Sequence, residues 1–189
     1  DQVVRAKLLI LNSPSNPTGA VYSRAEFQAL GRVIAEHPQG KGLWILSDEI
    51  YDRVILGNTA FCSFLEACPD LRDQVITVNG MSKSAAMTGW RVGWSVAPTR
   101  VTSAMSVVQA QSTSGINALA QWASIAALDL PESAFFDQIE RYKARLGLAL
   151  EILKKAAKLE VSVPEGAFYV FFGVRAYLTP GEGTPEFCE

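Results

Sequence analysis

Three short apolar runs that each stop at a cluster of turn-forming residues constrain this chain most. Residues 7–11 run into NSPSNPTG, residues 43–46 into SDEIY, and residues 75–78 into NGMSK. Runs of this length rich in Leu, Ile and Val read as buried strands, and Asn, Ser, Pro and Gly at such density end them. Between the first two runs, Ser23 and Glu26 have the spacing of a capping box. Phe27, Leu30, Val33 and Ile34 then recur at helical period, so a helix is expected from about Arg24 to Glu36. Alternation of strand and helix predicts right-handed crossovers and a largely parallel sheet. Ligands of open α/β sheets sit beyond the carboxyl ends of the strands. The three loops are therefore expected to share one rim, bringing Asn16, Asp48, Tyr51 and Lys83 to a common edge.

Lys83 is the chemical centre of that set. A lysine attacks a carbonyl only as the free amine, and its ordinary pKa of about 10.4 leaves little amine at neutral pH. Partial burial or a nearby cation corrects this. The sequence neighbours of Lys83 are Ser, Met, Ala and Thr, with no acid to pair it, and Arg91 follows with a planar donor fork suited to a phosphate dianion. An imine-forming lysine beside a phosphate clamp points to pyridoxal 5'-phosphate. Each remaining residue then matches one atom of a pyridine cofactor. Asp48 can keep the ring nitrogen protonated and so make the ring an electron sink, and Asn16 and Tyr51 can bind the ring hydroxylate. Ser82 can donate a hydroxyl to the phosphate. Singly, Asn16 before Pro17 is a common turn residue and Tyr51 a common core aromatic. In this order and together they are far more specific.

Composition removes other classes. A chain of 189 residues that is 49% hydrophobic and 19% charged can bury a real core. A net charge of -2 offers no basic face for nucleic acid or acidic lipid. No apolar run approaches the roughly 20 residues of a membrane span, and no leader pattern opens the chain. Small polar metabolites are the expected partners and the cytoplasm the expected compartment. Cys62, Cys68 and Cys188 are odd in number and lack CxxC spacing, so ordinary thiols are expected, with neither a disulfide framework nor a metal site. His37, before Pro38, is expected at the surface or capping a helix.

Beyond the lysine loop, residues 92–97 resemble another strand. Helical periodicity follows over residues 100–111 and 117–128, and again from about residue 132 to 159 as one long helix. The segment VSVPEGAFYVFFGV suggests two strand-like pieces joined at residues 164–166, and Pro185 in GEGTPEF looks like the opening of a further helix. The expected domains are residues 1–145, part of a cofactor-binding large domain, and residues 146–189, the start of a small C-terminal domain. The chain is expected to be a fragment with material missing on both sides.

NSPSNPTG, SDEIYDRV and NGMSKSAAMTGWRVGW resemble the signature stretches of class I/II aminotransferases, pyridoxal-phosphate enzymes of fold type I, with the closest likeness to bacterial aspartate aminotransferases. QSTSGINALAQWASIAAL and PEGAFYVFF resemble later segments of the same family, so the likeness covers nearly the whole chain. It implies a mainly parallel three-layer α/β/α large domain followed by the start of a small α+β domain. It also implies that Lys83 forms the internal aldimine, Asp48 pairs with the pyridinium, Asn16 and Tyr51 bind the ring oxygen, and Ser82 and Arg91 bind the phosphate. A cis peptide before Pro17 and pairing into homodimers are further implications. Family members are much longer. The upstream phosphate loop, the aromatic that stacks on the ring and the downstream arginine for the substrate carboxylate are not in this sequence, so residues 1–189 alone are expected to bind cofactor poorly and not to transaminate. Relatives often read TSNP where this chain has Thr113, Ser114, Gly115 and Ile116, and that loop carries no assigned role.

The expected reaction is ping-pong transfer of an amino group from an L-amino acid, with aspartate the leading candidate, to a 2-oxo acid such as 2-oxoglutarate. Lys83 serves first as the imine partner and then as the base. Two rivals use the same motifs. One is a different fold-type I reaction, carbon–sulfur β-elimination or aminocyclopropane carboxylate synthesis. The other is an aminotransferase-like sensor domain of a transcription regulator.

Overall fold

The computed structural model describes residues 6–156 and 158–178. Within them, strand β1 (Leu8–Asn12) leads through the NSPSNPTG loop to helix α1 (Arg24–Glu36), then β2 (Trp44–Asp48), the short α2 (Phe64–Ala67) and β3 (Val75–Gly80). The short α3 (Met81–Ser84), β4 (Gly93–Val96), α4 (Thr99–Ser112), α5 (Ala118–Leu128) and α6 (Phe136–Lys154) follow, and β5 (Glu160–Val161) and β6 (Phe172–Gly173) close the described part. The larger sheet has the order β1-β2-β3-β4, and β5 and β6 form a separate antiparallel pair. This is the expected mixed α/β architecture. No helix among the described residues is long and apolar enough to cross a membrane.

The first three strands are parallel, and their register aligns their ends: Asn12 stands opposite Asp48, and Asp48 opposite Val78. Three successive loops therefore leave the sheet from one row. The chain between β1 and β2 folds as its sequence directs. The Ser23 hydroxyl accepts the Glu26 N–H at 3.3 Å, while the Glu26 carboxylate accepts the Ser23 N–H at 2.8 Å, so two otherwise unpaired donors at the start of α1 are satisfied reciprocally. The apolar stripe of α1 places Phe27 and Ile34 in a core with Leu11, Leu43, Ile45, Phe64 and Val75. Phe27 meets Phe64 edge-on at 5.3 Å between ring centroids. Each such fully buried side chain contributes roughly 1.5–3 kcal/mol. Cys62 and Cys68 lie buried and unbridged in this core, and burial pushes both thiols up. His37 caps the end of α1, its Nδ1 accepting the Gln39 N–H at 3.2 Å.

The sheet is largely parallel, as expected, with one antiparallel edge strand, and two other expectations need revision. Strand β4 runs antiparallel to β3, with Gly80 opposite Gly93 and Thr77 opposite Val96. Residues 81–92 fold into α3 and a single 3-10 turn, Thr88–Trp90, without a helix long enough to carry the chain back across the sheet. The long helix expected from residue 132 begins only at Phe136. A separate 3-10 turn, Glu132–Phe135, precedes it and α6 ends at Lys154, which gives 19 residues. The segment between β5 and β6 is not a simple hairpin, because residues 165–167 are hydrogen-bonded to the loops of the large sheet. The helix suggested at Pro185, the GEGTPEF loop and Cys188 lie outside the described residues.

Candidate active site

Tyr51 is the meeting point of the residues singled out in the sequence. It lies three positions beyond the end of β2, is 3% exposed, and packs with Val54 and Ala167 in a second apolar cluster. The Lys83 ammonium stands 6.0 Å from the centroid of its ring and 5.5 Å from that of Phe168, so two aromatic faces wall the lysine. The Tyr51 hydroxyl is 2.7 Å from the hydroxyl of Tyr169. Burial is the largest influence pushing the Tyr51 phenol above its ordinary value, followed by Tyr169 and the negative charge of Asp48, while the Asn16 amide pulls it down. Asn16 and Asp48 thus act on the phenol whose ring Lys83 faces.

Asp48 closes β2 half-buried. Its Oδ1 accepts the Ile50 N–H at 3.1 Å, and its other carboxylate oxygen takes no hydrogen bond among the described residues. Its place is fixed by Asn12, a residue to which the sequence reading gave no role. The Asn12 Nδ2 donates to the Asp48 carbonyl at 3.1 Å, and its Oδ1 accepts the Asn16 N–H at 2.6 Å. One amide side chain therefore ties the first loop to the second. Asn79 does the same between the second and third, donating to the Asp52 carboxylate at 2.9 Å while accepting the Gly80 N–H at 2.7 Å. The bond between Asn16 and Pro17 is cis, as expected, and that between Ser13 and Pro14 is cis as well.

Lys83 lies in α3, one turn past the end of β3. Among the described residues no carboxylate forms an ion pair with it. Its carbonyl accepts a hydrogen bond from Gln138 Nε2 of α6 at 3.2 Å. Ser82 and Arg91 are joined through Thr88, whose hydroxyl donates to the Ser82 carbonyl at 3.0 Å and whose carbonyl accepts from the Arg91 guanidinium at 3.0 Å. Arg91 has a left-handed backbone, φ 57°. Its side chain lines a cleft of about 730 Å³ with Trp90, Gln109, Thr113 and Asn117, and Lys83 is not in the walls of that cleft. The structure thus sets Lys83 against the Tyr51 ring, ties the Asn16 backbone to Asp48 through Asn12, and links Ser82 to Arg91 only through Thr88.

Beside Asp48, Glu49 is buried and serves the frame. The hydroxyls of Ser47 and Ser63 and the N–H of Phe64 all donate to its Oε1, at 2.9, 2.8 and 3.2 Å. Burial raises its carboxyl above the ordinary range, against the pull of those three bonds. Asn12, Gln138, Phe168 and Tyr169 all bear on the site without having been singled out. For Asn12 the available signal was its place as the first residue of the turn cluster, and for Phe168 and Tyr169 it was their place in PEGAFYVFF. Gln138, in the first turn of an amphipathic helix, gave no signal.

The donor set suits pyridoxal 5'-phosphate. It offers an amine without an acid partner, a carboxylate with one oxygen unengaged, an amide and a phenol, and, joined through Thr88, Ser82 and Arg91 for the phosphate. Among the described residues no group of three His, Cys, Asp or Glu side chains is placed to hold a metal ion.

A family model for aminotransferases of class I and II matches residues 1–187. The aspartate/prephenate aminotransferase of Nitrosomonas europaea is 40% identical over 171 residues, which cover 90% of this chain and 42% of that protein. The crystal structure of the aspartate aminotransferase of Rhizobium meliloti superimposes with a TM-score of 0.84 at 39% identity, covering 89% of this chain and 42% of that one. The aspartate aminotransferase of Thermus thermophilus with maleate gives a TM-score of 0.80 at 38% identity, over 92% of this chain and 44% of that one. The chain spans about two fifths of the length of these relatives. With the model matched almost end to end and the fold shared at these identities, the chain belongs to the family of class I and II aminotransferases.

Proposed function

We propose that this chain carries the lysine side of the cofactor pocket of a pyridoxal-phosphate-dependent transaminase, with aspartate and 2-oxoglutarate as the leading substrate pair. The observation that carries the reading is the Lys83 ammonium facing the rings of Tyr51 and Phe168 beyond the carboxyl ends of three parallel strands, with Asn12 tying the Asn16 loop to Asp48 on the same row. Aspartate is the substrate for which the relatives in Nitrosomonas europaea and Rhizobium meliloti are named. Residues 1–145 belong to the large domain in this proposal and residues 146–189 open the second. Homodimer formation is part of it through family membership.

When bound, pyridoxal 5'-phosphate supplies an aldehyde that condenses with amines and a pyridinium ring that takes up the charge left when the substrate α-carbon loses its proton. Lys83 would hold the cofactor through its aldehyde carbon and be freed by an incoming amino acid. Its amine would then stand to take the substrate α-proton as base and give it back as acid. Asp48 keeps the ring nitrogen protonated through its unengaged oxygen. Tyr51 and Asn16 bind the ring oxygen, and Ser82 and Arg91 hold the phosphate by charge-assisted hydrogen bonds. The first oxo acid leaves before the second binds, which makes the kinetics ping-pong.

The test is Lys83→Ala in the whole protein, assayed for amino transfer between L-aspartate and 2-oxoglutarate. A loss of at least about a hundredfold is expected, the scale of a positioned acid–base group, together with an altered visible spectrum of the bound cofactor. Normal turnover with an unchanged spectrum would remove Lys83 from the reaction. Release of pyruvate, ammonia and a thiol from a cysteine S-conjugate offered in place of L-aspartate, with no amino transfer, would move the assignment to a β-elimination enzyme built on the same residues.

A further inference from the structure

The PEGAFYVFF segment reaches the site rim by a route independent of the three sheet loops. The N–H groups of Glu165 and Gly166 both donate to the Gly19 carbonyl at 2.9 Å, and the Ala167 N–H donates to the Val54 carbonyl at 2.9 Å. The Leu56 and Gly57 N–H groups donate in return to the Glu165 carbonyl at 2.8 and 2.9 Å. Residues that follow the first and second strands thus grip residues 165–167 from both sides. Tyr169, two positions on, is delivered in a fixed place. Its ring meets that of Tyr51 edge-on at 5.9 Å and 82°, with the two hydroxyl oxygens 2.7 Å apart.

Two phenols in such a contact have two protons, and only one lies between the oxygens. If Tyr51 donated to Tyr169, the Tyr51 oxygen would face the pocket as an acceptor, opposed to the ring oxygen of the cofactor, which is also an acceptor. The reverse order satisfies every group. Tyr169 is half-buried and borders a cleft of about 320 Å³ with Leu56, Tyr142 and Arg145, where water can donate to its oxygen. The rise that Tyr169 causes in the Tyr51 phenol belongs to the order in which Tyr51 is the donor; with a ring oxygen present to accept the Tyr51 proton the bond reverses, and a hydroxyl that accepts a hydrogen bond is also a stronger donor. We propose that Tyr169 is a positioning residue for the cofactor pocket: its hydroxyl donates to the Tyr51 oxygen and so directs the Tyr51 proton at the ring oxygen. The inference rests on the reading above, in which Tyr51 binds that oxygen.

The test is a double-mutant cycle on the cofactor-free whole protein. Wild type, Tyr51→Phe, Tyr169→Phe and the double variant are titrated with pyridoxal 5'-phosphate, and the visible band is recorded at saturation. Tyr169→Phe is expected to weaken binding about three- to tenfold, the scale of one hydrogen bond, and to shift the band in the same direction as Tyr51→Phe. In the Tyr51→Phe background the second substitution should change neither quantity. Because the band is read at saturating cofactor, a variant of lowered stability still reports. If Tyr51→Phe itself binds and absorbs like wild type, the assignment of Tyr51 fails, and with it the reading of the pocket. If Tyr51→Phe weakens binding while Tyr169→Phe changes nothing, or the two penalties simply add, Tyr169 is a packing residue and the inference is overturned.

Discussion

Side by side at the end of β2, Asp48 and Glu49 show how environment separates two identical chemistries. Asp48 keeps an oxygen unengaged at the rim, whereas Glu49 turns into the core and gathers Ser47, Ser63 and Phe64 on a single oxygen. Removing that oxygen with Glu49→Ala strands three donors, and thermal unfolding should report a loss of about 2–3 kcal/mol. Glu49→Gln keeps an acceptor and should be far milder. The two also differ in pH dependence. Burial holds the Glu49 carboxyl above its ordinary value of 4.5. The unfolded carboxyl therefore loses its proton first as pH rises, and native stability declines from that pH up to the raised native value and is level beyond it. Glu49→Gln removes that decline. The unfolding temperature of the variant relative to wild type should climb through this window and then plateau, and a difference that stays constant with pH would show that Glu49 does not titrate there.

Among the elements, one tight joint lies between the NSPSNPTG loop and residues 164–166. Gly19 has φ +70°, and a Cβ there would lie 2.2 Å from the Cβ of Pro164. Gly19→Ala therefore combines left-handed strain of about 1–2 kcal/mol with displacement of a proline whose neighbours donate to the Gly19 carbonyl. A loss of about 2–4 kcal/mol in thermal unfolding is expected, with cofactor affinity falling as Tyr169 moves; an unfolding temperature within a degree of wild type would mean the joint carries no weight. What could be read in the sequence divides along the same line. The capping box of α1, the parallel run β1 to β3 and the common row from which the three loops leave follow from local patterns: helical period, turn clusters and strand ends that alternate with a helix. The antiparallel turn of β4 depends on how residues 81–92 fold around Arg91, whose left-handed backbone no propensity announces. The late start of α6 at Phe136 is equally invisible to periodicity, because Phe135 and Phe136 fit the apolar spacing of one continuous helix. The bonds of Asn12, Asn79 and Tyr169 join residues far apart along the chain, so only the tertiary fold reveals them.

At the level of the whole molecule, α6 runs unbroken from Phe136 to Lys154, across the domain boundary proposed at residue 145, while the chain beyond it returns to the large sheet. Six backbone amides make that return. Those of Leu56, Gly57 and Thr59 donate to Glu165, those of Glu165 and Gly166 to Gly19, and that of Ala167 to Val54. A segment held at so many points opens only when the loops around it open. Hydrogen exchange should accordingly place the amides of Glu165, Gly166 and Ala167 in the slow class of β2 and β3. The amides of Val163 and Phe171, whose side chains are 64% and 58% exposed, should exchange faster. If residues 164–167 exchanged together with the end of α6 and well ahead of the sheet, they would move with the second domain. Tyr169 would then reach Tyr51 only when the two domains close, and the hydroxyl contact would be a feature of the closed form instead of a standing part of the pocket.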